Sequence, residues 1–102
     1  MKALFEAVPL GLTPLRVSRL GVGTTAIGGL YSPTSASSAE ETLQAAWDTG
    51  VRFFDSAPQY GNGMAEQRLG AFLQGKPRDE YVVCTKVGRL LRVPDIPVAD
   101  GY

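Results

Sequence analysis

Three residues in the middle and later parts of the chain could together move a proton at a carbonyl group. Asp55 and Tyr60 lie in the run FDSAPQYGNG, and Lys86 lies in the later run TKVG. A carbonyl that accepts hydride needs a proton, and a free phenol, with a pKa of about 10, donates slowly unless a cation helps it. Lys86 could supply that cation, and the Asp55 carboxylate would keep the lysine charged. These residue types therefore predict a proton donor, a cation that tunes it and an anion that holds the cation.

Three short apolar segments are predicted as the β-strands that position these residues. The segments span residues 20–24, 51–55 and 81–86, are rich in Val, Phe and Tyr, and are bounded by Gly, Pro or charged residues. Thr24, Asp55 and Lys86 would close the three strands, and both spacings between them are 31 residues. We therefore expect one βα unit to repeat, with each repeat bringing a polar residue to the same rim.

Two helices are predicted between the strands. Ser37 and Ser38 are each followed at three residues by a glutamate, which makes two overlapping capping boxes, and Gly50 is expected to end this helix. The apolar side of the second helix is predicted to consist of Ala65, Leu69, Phe72 and Leu73. Alternating strands and helices imply parallel strands with right-handed crossovers, whose carboxyl ends meet at one edge. Ligands bind at that edge in α/β folds.

Side-chain alternation along the strands predicts which residues share a face. Residues 51, 53 and 55 are expected on one face, and residues 82, 84 and 86 on one face of the neighbouring strand. If these strands are adjacent, Asp55 and Lys86 stand roughly 5 Å apart, which a lysine can bridge. Cys84 is interpreted as a small core residue, and Trp47 as a residue that packs a helix on the sheet.

Each candidate residue also has an ordinary structural interpretation. An aspartate at a strand end commonly forms a turn, a loop tyrosine commonly packs at the surface, and a strand-ending lysine is usually solvated. The glycine-rich run from Gly21 to Gly28 lacks both the dinucleotide fingerprint and the Gly-Lys pair of a P-loop, so a tight turn is the better interpretation. Chemistry is favoured by the joint spacing of Asp55, Tyr60 and Lys86.

The composition disfavours several other classes of protein. Ten basic residues balance ten acidic ones, so no overall charge attracts nucleic acid or an anionic membrane. No apolar stretch approaches the roughly 20 residues of a membrane span, and the start of the chain lacks a signal-peptide pattern, so a cytoplasmic protein is expected. The chain has no histidine and a single cysteine, which argues against a zinc site and against Ser-His or Cys-His catalysis.

The same motifs resemble those of a known family. The runs FDSAPQYGNG, EQRLGAFL and YVVCTKVGRLL resemble the aldo-keto reductase signature, and VSRLGVGTTAIGGLY resembles the first strand and following loop of that family. The match covers about residues 15 to 92. The run TKVGRLL, followed by a loop with proline, is similar to the branch that includes L-fucose, D-threo-aldose and pyridoxal 4-dehydrogenases.

This resemblance implies an α/β fold that comprises the first three βα units of a (β/α)8 TIM barrel. It implies an oxidoreductase that uses NADP or NAD on a small carbonyl or sugar substrate. Asp55, Tyr60 and Lys86 match the first three members of the catalytic tetrad of the family. Gly23, Thr24 and Thr25, together with Asp55, match positions near the nicotinamide. The fourth member, a histidine after the next strand, and most cofactor contacts of the family have no counterpart in the sequence.

The expected organisation is a partial barrel over residues 1–102. Residues 1–19 are predicted as an arm or hairpin, residues 20–92 as three strands and two helices, and residues 93–102 as a loop without a third helix. Because a closed barrel takes about 250 residues, this polypeptide alone is expected to be inactive and prone to aggregation. A second hypothesis remains open: a non-catalytic product, either a truncated reading frame or a cofactor-sensing or interaction subunit of the same barrel family.

Overall fold

An antiparallel hairpin precedes a parallel sheet in the computed structural model, which describes residues 2–30 and 32–96. A short helix α1 (Lys2–Phe5) leads into strands β1 (Ala7–Pro9) and β2 (Arg16–Ser18), which pair with Val8 opposite Val17. The predicted amino-terminal arm or hairpin is therefore a hairpin. Residues 97–102 of the predicted carboxyl-terminal loop lie outside the described residues, and residues 88–96 form no helix.

The main sheet has three parallel strands in the order β3, β4, β5. They are β3 (Val22–Gly23), β4 (Phe53–Asp55) and β5 (Val82–Cys84), and helices lie between them in sequence. This order confirms the predicted alternation and the adjacency of the second and third strands. Parallel pairing brings their carboxyl ends to one edge, as an α/β fold requires.

The register of the sheet corrects the expected 31-residue repeat. Gly23 pairs with Asp55, and Asp55 pairs with Cys84, so these three residues lie at one level. Thr24 and Lys86 lie beyond the paired residues, because the strands are shorter than predicted. Pairing stops where β4 turns into the loop at residue 56, and the last ladder bond joins the amide of Ser56 to the carbonyl of Cys84 at 2.8 Å. The equal spacing in the sequence therefore does not mark equivalent levels.

Helix α2 (Ala36–Thr49) connects β3 to β4 and begins earlier than the capping boxes predict. Ser35 is the N-cap, and its hydroxyl accepts a 3.1 Å hydrogen bond from the amide of Ser38. The expected caps at Ser37 and Ser38 are wrong, because both residues lie within the first turn. Gly50 ends the helix as predicted, with φ at 115°, a conformation that residues with a Cβ rarely adopt.

Helix α3 (Met64–Leu73) connects β4 to β5 and closes the core on one side of the sheet. The core centres on Phe54 and consists of Ile27, Ala39, Leu43, Val51, Phe54, Ala65, Leu69 and Leu73. Trp47 of α2 stacks on Phe54 with ring centroids 6.4 Å apart, which confirms its predicted packing between helix and sheet. Phe53 and Asp55 point to the other, less covered face. Cys84 lies exposed rather than in the core, since no described residue covers it.

Candidate active site

Lys86 and Asp55 form an ion pair at the carboxyl edge of the sheet. The Lys86 ammonium lies 3.1 Å from Asp55 Oδ1 and 3.3 Å from Oδ2, and it also donates to the carbonyl of Ser56 at 3.0 Å. Both side chains remain about half exposed, at 49% for Lys86 and 46% for Asp55. The predicted proximity of the two residues is confirmed. The ammonium is thus held by three oxygens while it stays accessible to a ligand.

Tyr60 lies next to this ion pair. The Lys86 ammonium is 5.0 Å from the centroid of the Tyr60 ring. Hydrogen bonds with the side chains of Thr25 and Lys86 lower the pKa of Tyr60 below the usual value of a phenol. Reciprocally, hydrogen bonds with Asp55 and then Tyr60 raise the pKa of Lys86. The three candidate residues therefore meet at one edge, with the phenol shifted toward easier loss of its proton.

The loop that carries Tyr60 is fixed by its backbone. The amide of Tyr60 donates to the carbonyl of Ala57 at 3.2 Å, and its carbonyl accepts from the amide of Ala65 at 3.1 Å, at the start of α3. Gly28 lies so close that a Cβ there would be 2.8 Å from the backbone carbonyl of Tyr60. Gly61 follows Tyr60 with φ at +67°, and a Cβ on Gly61 would collide with the backbone carbonyl of Gly28. Only glycine allows this contact between the two loops.

The sequence alone did not predict the contact of Gly28 with Tyr60, or the hydrogen bonds that hold the turn containing Gly28. Gly28 was interpreted only as part of a tight turn, and its contact with Tyr60 links residues far apart in the chain. Arg68 of α3 stabilises the same turn, donating to the carbonyls of Ile27 at 2.6 Å and Thr34 at 2.8 Å. A structural role for the half-buried Arg68 could have been suspected from its place in the run EQRLGAFL, which resembles the family helix.

The predicted cofactor-binding residues occupy different positions. Gly23 and Asp55 lie side by side on the open face, and a Cβ built on Gly23 would meet nothing within 4 Å. Thr25 is half-buried, and its side chain forms a hydrogen bond with the side chain of Tyr60. Thr24 was expected at the exposed rim, but it is fully buried. Its hydroxyl donates to the carbonyl of Asp55 at 3.0 Å and lies 2.8 Å from Ser56 Oγ, so it supports Asp55 from within the protein.

A cavity of about 320 Å³ opens beside Tyr60 and Lys86. It is lined by the loops after β4 and β5, namely by Ala57, Pro58, Gln59, Tyr60, Lys86, Val87 and Arg89. Two of these lining residues are hydrogen-bonded to each other, with Arg89 donating to the side-chain oxygen of Gln59. The arrangement places a proton donor, a paired cation and a second cation around one space large enough for part of a small ligand.

Comparisons with known proteins identify relatives of the chain. The model of the aldo/keto reductase family matches residues 19–101. The chain is 55% identical over 78 residues to a D-threo-aldose 1-dehydrogenase from Pseudomonas sp, which covers 76% of the chain and 24% of that protein. It is 52% identical over 86 residues to a pyridoxal 4-dehydrogenase from Microbacterium luteolum, covering 84% of the chain and 25% of that protein.

A solved structure shares the fold as well. An aldo-keto reductase from Bacillus halodurans, in its holo form, superposes with a TM-score of 0.76 at 28% identity, covering 86% of the chain and 28% of that structure. The chain belongs to the aldo/keto reductase family. It spans about a quarter of the length of the curated relatives it matches. The three parallel strands and their helices are therefore part of a (β/α)8 barrel, as the sequence predicts.

Two further features bear on what the described residues can bind. Within residues 2–30 and 32–96, no helix combines the length and apolar character that a membrane crossing requires. In the same part of the chain, no group of three or more His, Cys, Asp or Glu side chains is placed to hold a metal ion.

Proposed function

We propose that this chain supplies part of the active site of an NAD(P)-dependent oxidoreductase. Such an enzyme would move hydride between NADP or NAD and the carbonyl or hydroxyl group of a small substrate, an aldehyde, an aldose or a pyridoxal-like compound. The observation that carries the proposal is the contact of the Lys86 ammonium with both Asp55 oxygens, next to the ring of Tyr60. The names of the aldose and pyridoxal dehydrogenase relatives support the substrate class.

The open edge of the sheet fits a nicotinamide cofactor. Gly23 presents no side chain beside Asp55, which leaves room for a flat ring against the strand ends. Gly23, Thr25 and Asp55 would line that ring, while the buried Thr24 fixes the backbone of Asp55 beneath it. When bound, the reduced cofactor supplies hydride to the substrate carbon, and its oxidised form accepts hydride in the reverse reaction.

The residues of this chain would manage the proton that accompanies the hydride. In reduction, the Tyr60 hydroxyl donates its proton to the substrate oxygen as the carbonyl double bond breaks, and solvent later returns a proton to the phenolate. In oxidation, the Tyr60 phenolate takes the proton of the substrate hydroxyl. Lys86 favours the phenolate form of Tyr60, and Asp55 keeps Lys86 charged and in place. A cytoplasmic location is part of the proposal.

Replacement of Tyr60 tests the proposal in a protein of the relatives' length that contains these residues. Tyr60→Phe is expected to lower kcat by about 100- to 10,000-fold while cofactor binding is retained, because the proton donor is lost and the ring remains. Tyr81→Phe is the matched control, since Tyr81 packs against Trp47 away from the ion pair. Wild-type turnover in Tyr60→Phe would refute the assigned role.

We also propose that residues 1–102, made as a separate polypeptide, are inactive and aggregate. Large apolar side chains are exposed after β5, including Val87 and Leu90 at 98% and 96%. The unpaired edge of β5 adds backbone groups that can pair with another chain. Sedimentation and an NADPH-dependent aldehyde reductase assay test this, and a soluble monomer that unfolds cooperatively and reduces an aldehyde would contradict it.

A further inference from the structure

We propose that Arg89 is a specificity-determining residue that binds an oxygen atom of the substrate remote from the reacting carbon. This inference rests on the proposed function and names the substrate chemistry of the same cavity. It favours substrates that carry hydroxyl groups, such as open-chain aldoses, over plain aliphatic aldehydes.

The cavity is lined by four polar residues and three apolar ones. Tyr60 and Lys86 form the pair where the proton would move, and Gln59 and Arg89 form a second pair that is joined by a hydrogen bond. Ala57, Pro58 and Val87 supply the apolar lining. A substrate whose carbonyl oxygen reaches Tyr60 would therefore have apolar side chains and a guanidinium group to contact within the same cavity.

Gln59 restricts the orientation of Arg89. The Gln59 side-chain oxygen accepts from Arg89 Nη1, and Gln59 is adjacent to Tyr60 in a loop whose backbone is hydrogen-bonded at both ends. This bond uses one of the five N–H groups of the guanidinium, which can donate to more than one oxygen at a time. Arg89 is thus directed toward the cavity of Tyr60 rather than toward solvent alone.

The two cations of the cavity differ in how their charge is balanced. Lys86 is paired with Asp55, whereas no carboxylate in residues 2–30 and 32–96 forms a salt bridge with Arg89. A hydroxyl or carbonyl oxygen placed at Arg89 would therefore gain a charge-assisted hydrogen bond, and an alkyl chain would not. A bond of that kind corresponds to about 10- to 100-fold in kcat/KM between substrates with and without the oxygen.

The test compares D-erythrose with butanal, two four-carbon aldehydes that differ in their hydroxyl groups. In a protein of the relatives' length that contains these residues, Arg89→Met is expected to lower kcat/KM for D-erythrose by about 10- to 100-fold, mainly through KM. The value for butanal should change by less than about threefold. Arg92→Met is the matched control, because it removes the same charge three residues later, outside the cavity lining.

Two results would overturn the inference. An equal loss for both aldehydes would show that Arg89 supports the structure of the site, and a loss confined to the KM of the nicotinamide would show that Arg89 serves the cofactor. Calorimetric binding of erythritol to the wild-type and Arg89→Met proteins gives a readout independent of turnover. If the wild-type protein lacks reductase activity, the proposed function fails, and unchanged erythritol affinity in Arg89→Met would separately refute the role of Arg89.

Discussion

The two faces of the parallel sheet differ in what holds their side chains. On the helix-covered face, Phe54 is fully buried between α2 and α3. On the opposite face, the neighbouring Asp55 stays 46% exposed and is held by the ammonium of Lys86. Apolar burial stabilises the first face, while polar contacts and backbone geometry order the second. The face with less burial carries the reactive groups, and a partly open cleft allows a ligand to reach them.

A substitution in the core on the helix-covered face should have the largest effect on the stability of the protein. Phe54→Ala is expected to lower the free energy of unfolding by about 3–5 kcal/mol in a protein of the relatives' length, because it removes a buried ring and leaves a cavity. Denaturant titration followed by far-ultraviolet circular dichroism measures this loss.

Phe54→Leu is the control for that comparison. It keeps an apolar side chain at the position and should cost less than Phe54→Ala. A loss below about 1 kcal/mol in Phe54→Ala would show that the helix-covered face contributes less than its burial suggests.

A substitution at Gly28, which contacts the backbone of Tyr60, should have an intermediate effect on stability and turnover. Gly28→Ala places a Cβ 2.8 Å from backbone atoms of Tyr60, which cannot rotate away as a side chain would. The loops must separate, and we expect a loss of about 1–3 kcal/mol in stability together with reduced turnover from a displaced Tyr60. Thermal unfolding and steady-state kinetics measure the two effects.

Gly70→Ala provides the matched glycine substitution. Gly70 lies within α3, and a Cβ there meets nothing within 4 Å. The change should therefore stabilise the protein by about 0.5–1 kcal/mol through the better helix propensity of alanine. Equal effects of Gly28→Ala and Gly70→Ala would contradict the claim that the contact with Tyr60 requires glycine.

The sequence predicts the strands of the sheet well, because short apolar segments with turn residues between them are local patterns. The ion pair also follows from the predicted adjacency of the second and third strands, because the long Lys86 side chain reaches Asp55 although Asp55 pairs with Cys84. The level of Thr24 was not predictable in this way, since strand register depends on pairing between distant segments. The burial of Thr24 and the exposure of Cys84 have the same origin, because each depends on which other segment covers the residue.

The N-cap of α2 and the contact of Gly28 with Tyr60 are two further features that the sequence does not predict. Ser35, Ser37 and Ser38 lie close together where α2 begins, and only backbone conformation selects Ser35 as the N-cap. The contact of Gly28 with Tyr60 joins two loops, and nothing in either loop alone reveals it. Sequence patterns therefore predict which elements form, whereas the packing of loops at the site requires the three-dimensional structure.

Removal of the Thr25 hydroxyl should have the smallest of these effects, a shift in the pH dependence of the reaction rates. Thr25 and Lys86 lower the pKa of Tyr60, because their hydrogen bonds stabilise the phenolate. Reduction needs protonated Tyr60, so its rate falls as pH rises through that pKa, and oxidation, which needs the phenolate, rises over the same range. Thr25→Val removes one of these bonds and should raise the pKa of Tyr60.

The pH profiles of kcat/KM in both directions test this expectation. In Thr25→Val, kcat/KM for reduction should fall at a higher pH than in the wild-type protein. The rise of kcat/KM for oxidation should also move to higher pH. Thr42→Val is the control, because the Thr42 hydroxyl bonds a carbonyl within α2 and lies on an exposed face. A shift of either profile toward lower pH in Thr25→Val would show that Thr25 does not stabilise the phenolate. Such a result would leave Lys86 as the remaining group to promote proton loss, and the open face would then depend on the ion pair alone.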